Sequence, residues 1–468
     1  MKDWKFVKVV IIGIARQGIA LARYLVSHGA QVILNDKRPL ADLLHARQSL
    51  ADLEQAGAAI TWVCGEHPLE ILEGVQLVCV SGGVPLDLPL IVEAQRRGIP
   101  LSNDSQIFLE AAPCKVIGIT GSAGKTTTTI LVGKMALAAV SDTENQSIYR
   151  KAWVGGNIGS PLIADVDQMA SIDLAVMELS SFQLEIMRSS PHIAAILNVT
   201  PNHLDRHGTM QAYLNAKSQI LANQTSNDVA VLGRDDPGAW SLREQAKGKV
   251  LSFGLSSLPA GEPGAFLHDE RIHVRNEDAH VSLPVKHIQL RGEHNLLNVM
   301  AACTLAVAAG LGEKAIQDGV SDFSGAPHRL EFVRHWGDAD WYNDSIATAP
   351  ERSMAAIRSF EEPIVLLAGG RDKDLPWQPF AELVCQRVRC LILFGEAAPI
   401  IQKALNDVSG SSLDVIPCTG LKEAVAAAAK EVRSGDVVLL SPGGTSFDEF
   451  IDFEERGRCF VQWVKDLP

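Results

Sequence analysis

The stretch VIGITGSAGKTTTTILVG, residues 116–133, constrains this chain more than any other. Val116 to Thr120 reads as a buried strand, Gly121 to Gly124 as a flexible turn, and Lys125 onward as a helix. Strand, glycine loop and helix in that order aim successive backbone N–H groups and a helix N-terminus at one spot. Lys125 adds a point charge there and Thr126 a hydroxyl suited to Mg²⁺, so the loop fits a polyphosphate. The strict pattern G-x-x-x-x-G-K-[ST] fails by one place, because its first glycine would fall at Ile119 and the glycine sits at Gly118. The motif is therefore a variant. Read blandly, it is a glycine turn before a core helix, which leaves the lysine and threonine without a packing purpose.

With 468 residues the chain is too long for one core, and ~150 residues per domain suggests about three. From Lys8 the pattern runs strand (VVIIGI), glycine turn, helix (Gln17 to His28), strand (QVILND) and on through LVCVSGG, a βαβ series with a parallel sheet. A second unit opens near Pro113 with the phosphate loop and continues through VMELSSFQ, AAILNVT and VAVLG. It then breaks into short, turn-rich strands between Val250 and Leu290 before a helix from His294 to Ala309. FSGAPHRLEF reads as a linker into a third unit, whose strands are PIVLLAGG, CLILFG, LDVIPC and DVVLLSPGG. The expected fold is α/β in three domains. Residues 1–112 form a Rossmann-like unit, 113–325 a P-loop-type ATPase unit and 326–468 a second Rossmann-like unit.

Composition narrows the function classes. A formal charge of −13 argues against a general nucleic-acid or anionic-membrane surface. Eight scattered cysteines, without C-x-x-C, read as reduced core residues. The N-terminal apolar run ends in a glycine turn rather than a cleavage site, and the longest apolar-rich stretch, Val299 to Gly312, is short of the ~20 residues a span needs. The expectation is a soluble, cytoplasmic, monomeric protein with no nucleic-acid partner and no membrane insertion.

The first strand ends in GIARQG, with Asp36 placed 18 residues after Gly18. This is close to the dinucleotide fingerprint, but Ala15 stands where the middle glycine would let a backbone approach a pyrophosphate. An NAD or FAD reading is weakened by that replacement. Another nucleotide diphosphate, with Asp36 or Lys37 near its sugar or base, fits at least as well, and a purely structural turn is the third reading.

In the middle unit, MELSSFQLE places Glu178 at the end of a buried strand, where a carboxylate is costly unless it meets a cation or a donor. Beside a phosphate loop the expected partner is Mg²⁺. ILNVTPNHLDRHG adds His203 and AYLNAKSQI adds Lys217 on a helix. Singly these read as a satisfied loop histidine and a solvated lysine; together they point to one site.

Here the chain resembles the Mur ligases across nearly its whole length. The matching pieces occur in order: ITGSAGKTTT, GGNIG, ELSSFQ, ILNVTPNHLDRH, AYLNAKS, GEHNLLN, PHRLE, NDSIAT, GGRDK and SPGGTSFDEF. The resemblance implies an ATP-dependent, ADP-forming ligase of peptidoglycan precursor synthesis, using ATP and Mg²⁺. It implies UDP-N-acetylmuramoyl-L-alanine as acceptor and glutamate as the incoming amino acid. By the same resemblance the UDP-sugar lies near Ala15, Arg16, Asp36, Lys37, Ser81, Gly82 and Gly83. Asn157, Ser180 and His203 face the acceptor carboxylate and the metals. Gly121, Ser122, Ala123, Gly124, Lys125, Thr126 and Thr127 hold the phosphates, while Asn295, Asn298, Arg329 and Asp344 position ATP. Thr126, Glu178 and His203 carry metal together with Lys217, the lysine that becomes a carbamate. Lys125, Glu178, His203 and Lys217 are the implied catalytic set, and Thr348, Lys373, Ser446 and Phe447 the glutamate site.

Three positions depart from the family pattern. Ala123 replaces an asparagine in the loop, GGT at Gly443 precedes Ser446, and Ile346 stands where the glutamate-adding ligases commonly carry lysine. Glutamate brings two carboxylates and Lys373 serves one, so Arg352 or Arg371 supplies the second charge, or Ser446, Thr348 and backbone N–H groups suffice. D-glutamate is the first choice, because the remaining motifs match the D-glutamate-adding members; L-glutamate is the alternative. The rival readings are an oxidoreductase using the Gly13 turn, a folylpolyglutamate-synthase-like ligase, and a non-catalytic nucleotide sensor. The second lacks the ~110 residues of βαβ pattern that here precede the phosphate loop.

Overall fold

The computed structural model describes residues 3–142, 148–259, 261–277, 279–290, 292–321, 323–408 and 413–468. Three sheets organise them. The first contains β1 (Lys8–Ile12), β2 (Gln31–Asp36), β3 (Ile60–Cys64), β4 (Leu77–Val80) and β5 (Leu101–Ser102) in the order β3-β2-β1-β4-β5, all pairs parallel. KVVII of β1 is apolar almost throughout, as a strand covered on both faces must be. The amphipathic helix Arg16–Ser27 packs Leu21, Ala22 and Leu25 against it.

The second sheet joins β6 (Lys115–Thr120), β7 (Ala152–Gly156), β8 (Leu174–Glu178), β9 (Ile193–Ile196), β10 (Val229–Gly233), β11 (Lys249–Phe253), β12 (Gly264–His268), β13 (Arg271–Arg275) and β14 (His280–Pro284). Their order is β14-β13-β12-β11-β10-β9-β6-β8-β7. The seven strands from β7 to β12 are parallel, and β12, β13 and β14 run antiparallel. The turn-rich stretch after Val250 is thus a meander extending one edge of the sheet. One apolar cluster runs without a break from Val9 and Ile11 of the first sheet to Ala175, Met177 and Ala194 of the second. Accordingly residues Met1–Ile288 with Glu293–Phe323 form one compact unit.

The other compact unit, Gln289–Gly292 with Ser324–Pro468, holds β15 (Glu331–Trp336), β16 (Ala339–Asn343), β17 (Ile364–Gly369), β18 (Val388–Phe394), β19 (Asp414–Pro417) and β20 (Val437–Gly443). Their order is β15-β16-β20-β17-β18-β19, parallel except for the β15–β16 hairpin. The hairpin corrects the linker reading of FSGAPHRLEF, whose last two residues open β15. Its charged, aromatic-rich sequence, EFVRHW, hides the period of a partly exposed edge strand. No helix among the described residues is long and apolar enough to cross a membrane, and all eight cysteines are free thiols.

Candidate active site

In an open parallel sheet, ligands bind outside the carboxyl ends of the strands, where loops from neighbouring strands converge. β8, β6 and β9 are adjacent; Glu178 closes β8, and the phosphate loop and the stretch 197–203 follow β6 and β9. Gly124 is the N-cap of helix Lys125–Ser141 with a left-handed φ of 82°, and no side chain caps the helix. A Cβ at Gly124 would collide with Asn298 Oδ1, so the loop requires glycine here and Asn298 stands directly against it. Asn298 in turn donates to Asn295 Oδ1 at 3.1 Å, which places both predicted ATP-positioning asparagines of helix Glu293–Ala309 beside the phosphate loop.

The loop is held by residues that sequence alone did not reveal. Ala123 N–H donates to Asn198 Oδ1 at 2.8 Å, and Asn198 Nδ2 donates back to Ala123 O at 3.2 Å. Ser122 Oγ donates to Thr200 O at 2.9 Å and accepts from Thr200 N at 3.0 Å. The bonds at position 123 use its backbone N–H and C=O, so an alanine side chain there leaves them intact. Lys125 Nζ folds back to donate to Gly121 O at 2.8 Å. Thr127 is buried at the start of the helix.

Glu178 is 2% exposed. Its carboxylate accepts from Thr126 Oγ1 at 2.9 Å and from Asn157 Nδ2 at 3.0 Å, and among the described residues no cationic side chain pairs with it. A buried carboxylate balanced by neutral donors alone, next to a threonine hydroxyl, fits a divalent cation. His203 takes a left-handed backbone (φ 53°) at the start of the short helix Leu204–His207, and its ring lies edge-on to Phe182 at 5.2 Å. Ser180 caps helix Ser181–Leu184 in a reciprocal box with Gln183, which reaches on to Ser105 Oγ at 2.8 Å.

Lys217 is 1% exposed, on helix Met210–Ala222. Its ammonium faces the Tyr213 ring at 4.5 Å, and no carboxylate pairs with it among the described residues. Burial first, and the Lys125 cation second, push it down to about 6. Burial of this kind favours the neutral amine over the ammonium. His207 and Arg206 were not singled out from sequence. His207 stacks on Phe182 at 5.2 Å and meets Ser181 Oγ at 2.9 Å; Arg206 lies over Phe182 at 4.5 Å and donates to Val84 O at 3.2 Å.

Around the Gly13 turn, Ser81 Oγ donates to Gly13 O at 2.8 Å, and Ile14 N–H donates to Asp36 Oδ2 at 2.8 Å. Arg38, which the sequence did not flag, grips Asp36 through Nε at 3.0 Å and Nη2 at 2.8 Å. Burial alone would raise the Asp36 carboxyl, but this fork and the backbone donors outweigh it and hold Asp36 at about 2. Ala15 is the N-cap of helix Arg16–Ser27 and offers no capping oxygen, which leaves the N-terminal N–H groups open. Lys37 is exposed beside Asp36, and Gly82, next to Gly83, approaches Ser180 and Phe182.

In the other unit, Asp344 is buried and accepts from Ser441 Oγ at 2.8 Å and Leu330 N at 3.2 Å. Burial pushes its carboxyl up to about 7 against those donors. Arg329 precedes Leu330 in a turn where His328 and Leu330 both take positive φ. Lys373 Nζ lies 3.4 Å from Thr348 Oγ1, Ser446 is buried and Phe447 exposed.

Comparison with known proteins agrees with this architecture. Residues 7–103 match the Mur ligase MurD-like N-terminal domain, 119–306 the Mur ligase middle domain, and 328–444 the Mur ligase glutamate ligase domain. The chain belongs to the Mur ligase family. It is 41% identical over 461 residues to the UDP-N-acetylmuramoylalanine--D-glutamate ligase of Symbiobacterium thermophilum, covering 98% of both chains. It is 36% identical to that of Acetivibrio thermocellus, covering 100% of this chain and 98% of the relative. Among solved structures it shares its fold with UDP-N-acetylmuramoyl-L-alanyl-D-glutamate--2,6-diaminopimelate ligase (TM-score 0.56, 19% identity, 100% and 95% covered). The same holds for the UDP-N-acetylmuramate-alanine ligase of Thermotoga maritima (TM-score 0.54, 19% identity, 98% and 99% covered).

Proposed function

We propose that this chain is an ATP-dependent ligase that joins D-glutamate to the L-alanine carboxylate of UDP-N-acetylmuramoyl-L-alanine, a step of peptidoglycan precursor synthesis. The observation that carries the reading is a pair of buried groups beside the phosphate loop: Glu178, bonded to Thr126, and Lys217, whose amine meets no carboxylate among the described residues. The match of residues 7–103 to a MurD-like N-terminal domain supports a nucleotide-sugar acceptor over a folate-type one. Both nucleotides are cytoplasmic metabolites, which fits a cytoplasmic site of action. The presence of three separate sheets supports a division into domains 1–112, 113–325 and 326–468.

An amide cannot form directly from carboxylate and amine, because oxide is too poor a leaving group. The acceptor carboxylate attacks the γ-phosphorus of ATP, releasing ADP and giving an acyl phosphate. The unprotonated amine of glutamate then adds to the acyl carbon, and the tetrahedral adduct expels inorganic phosphate. The first step brings two anions together. Lys125 and the loop N–H groups meet the charge that grows on the transferred phosphoryl group, with Arg329 as a further cation. Mg²⁺, held by Thr126, Glu178, His203 and the carbamate of Lys217, would neutralise polyphosphate charge. Asn157 and Ser180 orient the acceptor, and His203 is a candidate to take the amine proton.

Acceptor labelled with ¹⁸O in its alanine carboxylate tests the chemistry. The mechanism transfers one labelled oxygen to the released inorganic phosphate for each amide formed. Unlabelled phosphate would exclude the acyl phosphate.

A further inference from the structure

A group of cations lies on the segments beyond the carboxyl ends of β16, β20 and β17, which are adjacent and parallel. The segment after β16 carries Ile346, Thr348 and Arg352; that after β17 carries Arg371 and Lys373; that after β20 carries Ser446 and Phe447. Three bonds stitch these segments together. Gly443 N–H donates to Ala347 O at 2.9 Å, Ser353 Oγ to Ser441 O at 2.9 Å, and Arg371 N–H to Thr445 O at 2.8 Å. Thr348 and Lys373 meet across the same crevice.

The four cations here are not equivalent. Arg371 is taken: its guanidinium pairs with Glu396 at 2.8 and 3.1 Å. Arg456 is fully buried, and its donors go to Ser345 and to the Gly444 carbonyl. It raises the local potential from inside the fold without reaching out. Arg352 and Lys373 remain, both exposed. Among the described residues Arg352 makes no side-chain hydrogen bond or ion pair. It lies close enough to Lys373 that, after partial desolvation, it is the next largest cause holding that ammonium below the ordinary lysine value. Arg352 on the first turn of helix Pro350–Ile357 and Lys373 on the facing loop, beside Thr348 at 3.4 Å, put two like charges at one strand-end crevice, and the helix N-terminus adds partial positive charge. An anion with two separated negative groups relieves this.

We propose that Arg352 holds the second carboxylate of the incoming amino acid while Lys373 holds the first, so that the arginine takes the place of the cation that Ile346 cannot provide. The assignment rests on the ligase reading above and adds to it the residue that selects a dicarboxylic amino acid. The planar fork of arginine suits a carboxylate bidentately, and Arg352 sits on the first turn of the helix that follows Thr348.

Initial rates with the full chain, acceptor and ATP, varying glutamate, test it. Arg352→Ala raises the KM for glutamate about 10- to 100-fold, the loss of one charge-assisted contact, with kcat and the KM values for ATP and acceptor within threefold. Arg352→Lys keeps part of the affinity, and Ile346→Lys added to Arg352→Ala recovers it. Arg371→Ala leaves the glutamate KM unchanged. A glutamate KM within twofold of wild type in Arg352→Ala overturns the assignment. So does a rise shared equally by all three substrates, or an equal rise in Arg371→Ala. If the wild-type chain forms no amide with glutamate, the ligase reading fails as well; if it does and Arg352→Ala is unaffected, only this assignment fails.

Discussion

At Lys217 the fold places an amine where water does not reach and gives it no carboxylate, and two results follow. In CO₂-free buffer the folded chain releases this proton near pH 6 and the unfolded chain near the ordinary 10.5. Between those values the unfolded state binds the extra proton, so Lys217 makes stability rise with pH across that window. Lys217→Met therefore stabilises the protein more at pH 6 than at pH 9, read as the shift in denaturant midpoint; an equal shift at both pH values would contradict the buried neutral amine. With bicarbonate present, Lys217→Ala loses ligation and regains part of it with acetate, a small anion able to occupy the carbamate's place. No rescue counts against a carbamate. Lys125→Ala isolates the other charge. Its ammonium donates to the Gly121 carbonyl of the loop, and ligation falls ~10²-fold or more while the thermal midpoint stays within about a degree or two.

At the scale of elements, the phosphate loop is a rigid piece because the segment after β9 is bonded to it at Ser122 and Ala123. Asn198→Ala removes two of those bonds, each worth about 1 kcal/mol. The expected outcome is an ATP KM raised about tenfold with the glutamate KM unchanged; steady-state kinetics with each substrate varied checks it. The loop itself was legible in sequence, since the glycines, Lys125 and Thr126 define it through local spacing. Asn198 was not, because a side chain that bonds a backbone 75 residues away carries no local period. Arg38 went unseen for a related reason. Asp36 stood out as the acidic residue of a fingerprint, and its consumption by a neighbour two residues on appears only when the turn is closed around Ile14. The β15–β16 hairpin was lost to its mixed charged and aromatic sequence, whereas the uninterrupted apolar runs of β1, β17 and β20 could be read directly. Arg352 and Arg371 were equal candidates in sequence; the Glu396 ion pair separates them.

Across the whole molecule, three sheets present their carboxyl edges to chemistry, and the two compact units divide it. The Gly13 turn, the phosphate loop and the buried Glu178 and Lys217 belong to one unit, and Asp344, Lys373 and Arg352 to the other. On the proposed reading, the nucleotide-sugar and the phosphate loop belong to the larger unit, while amino-acid selection and the ATP-positioning Arg329 and Asp344 belong to the smaller. The most direct measurement supplies the purified chain with UDP-N-acetylmuramoyl-L-alanine, ATP and Mg²⁺. D- and L-glutamate are offered in parallel, and ADP and the product mass are followed together. The account predicts one ADP per amide formed, a product heavier by one glutamyl residue, and clear preference for the D enantiomer. ADP release without amide, or no turnover with either enantiomer, would contradict the ligase assignment; preference for L-glutamate would contradict the stereochemistry alone.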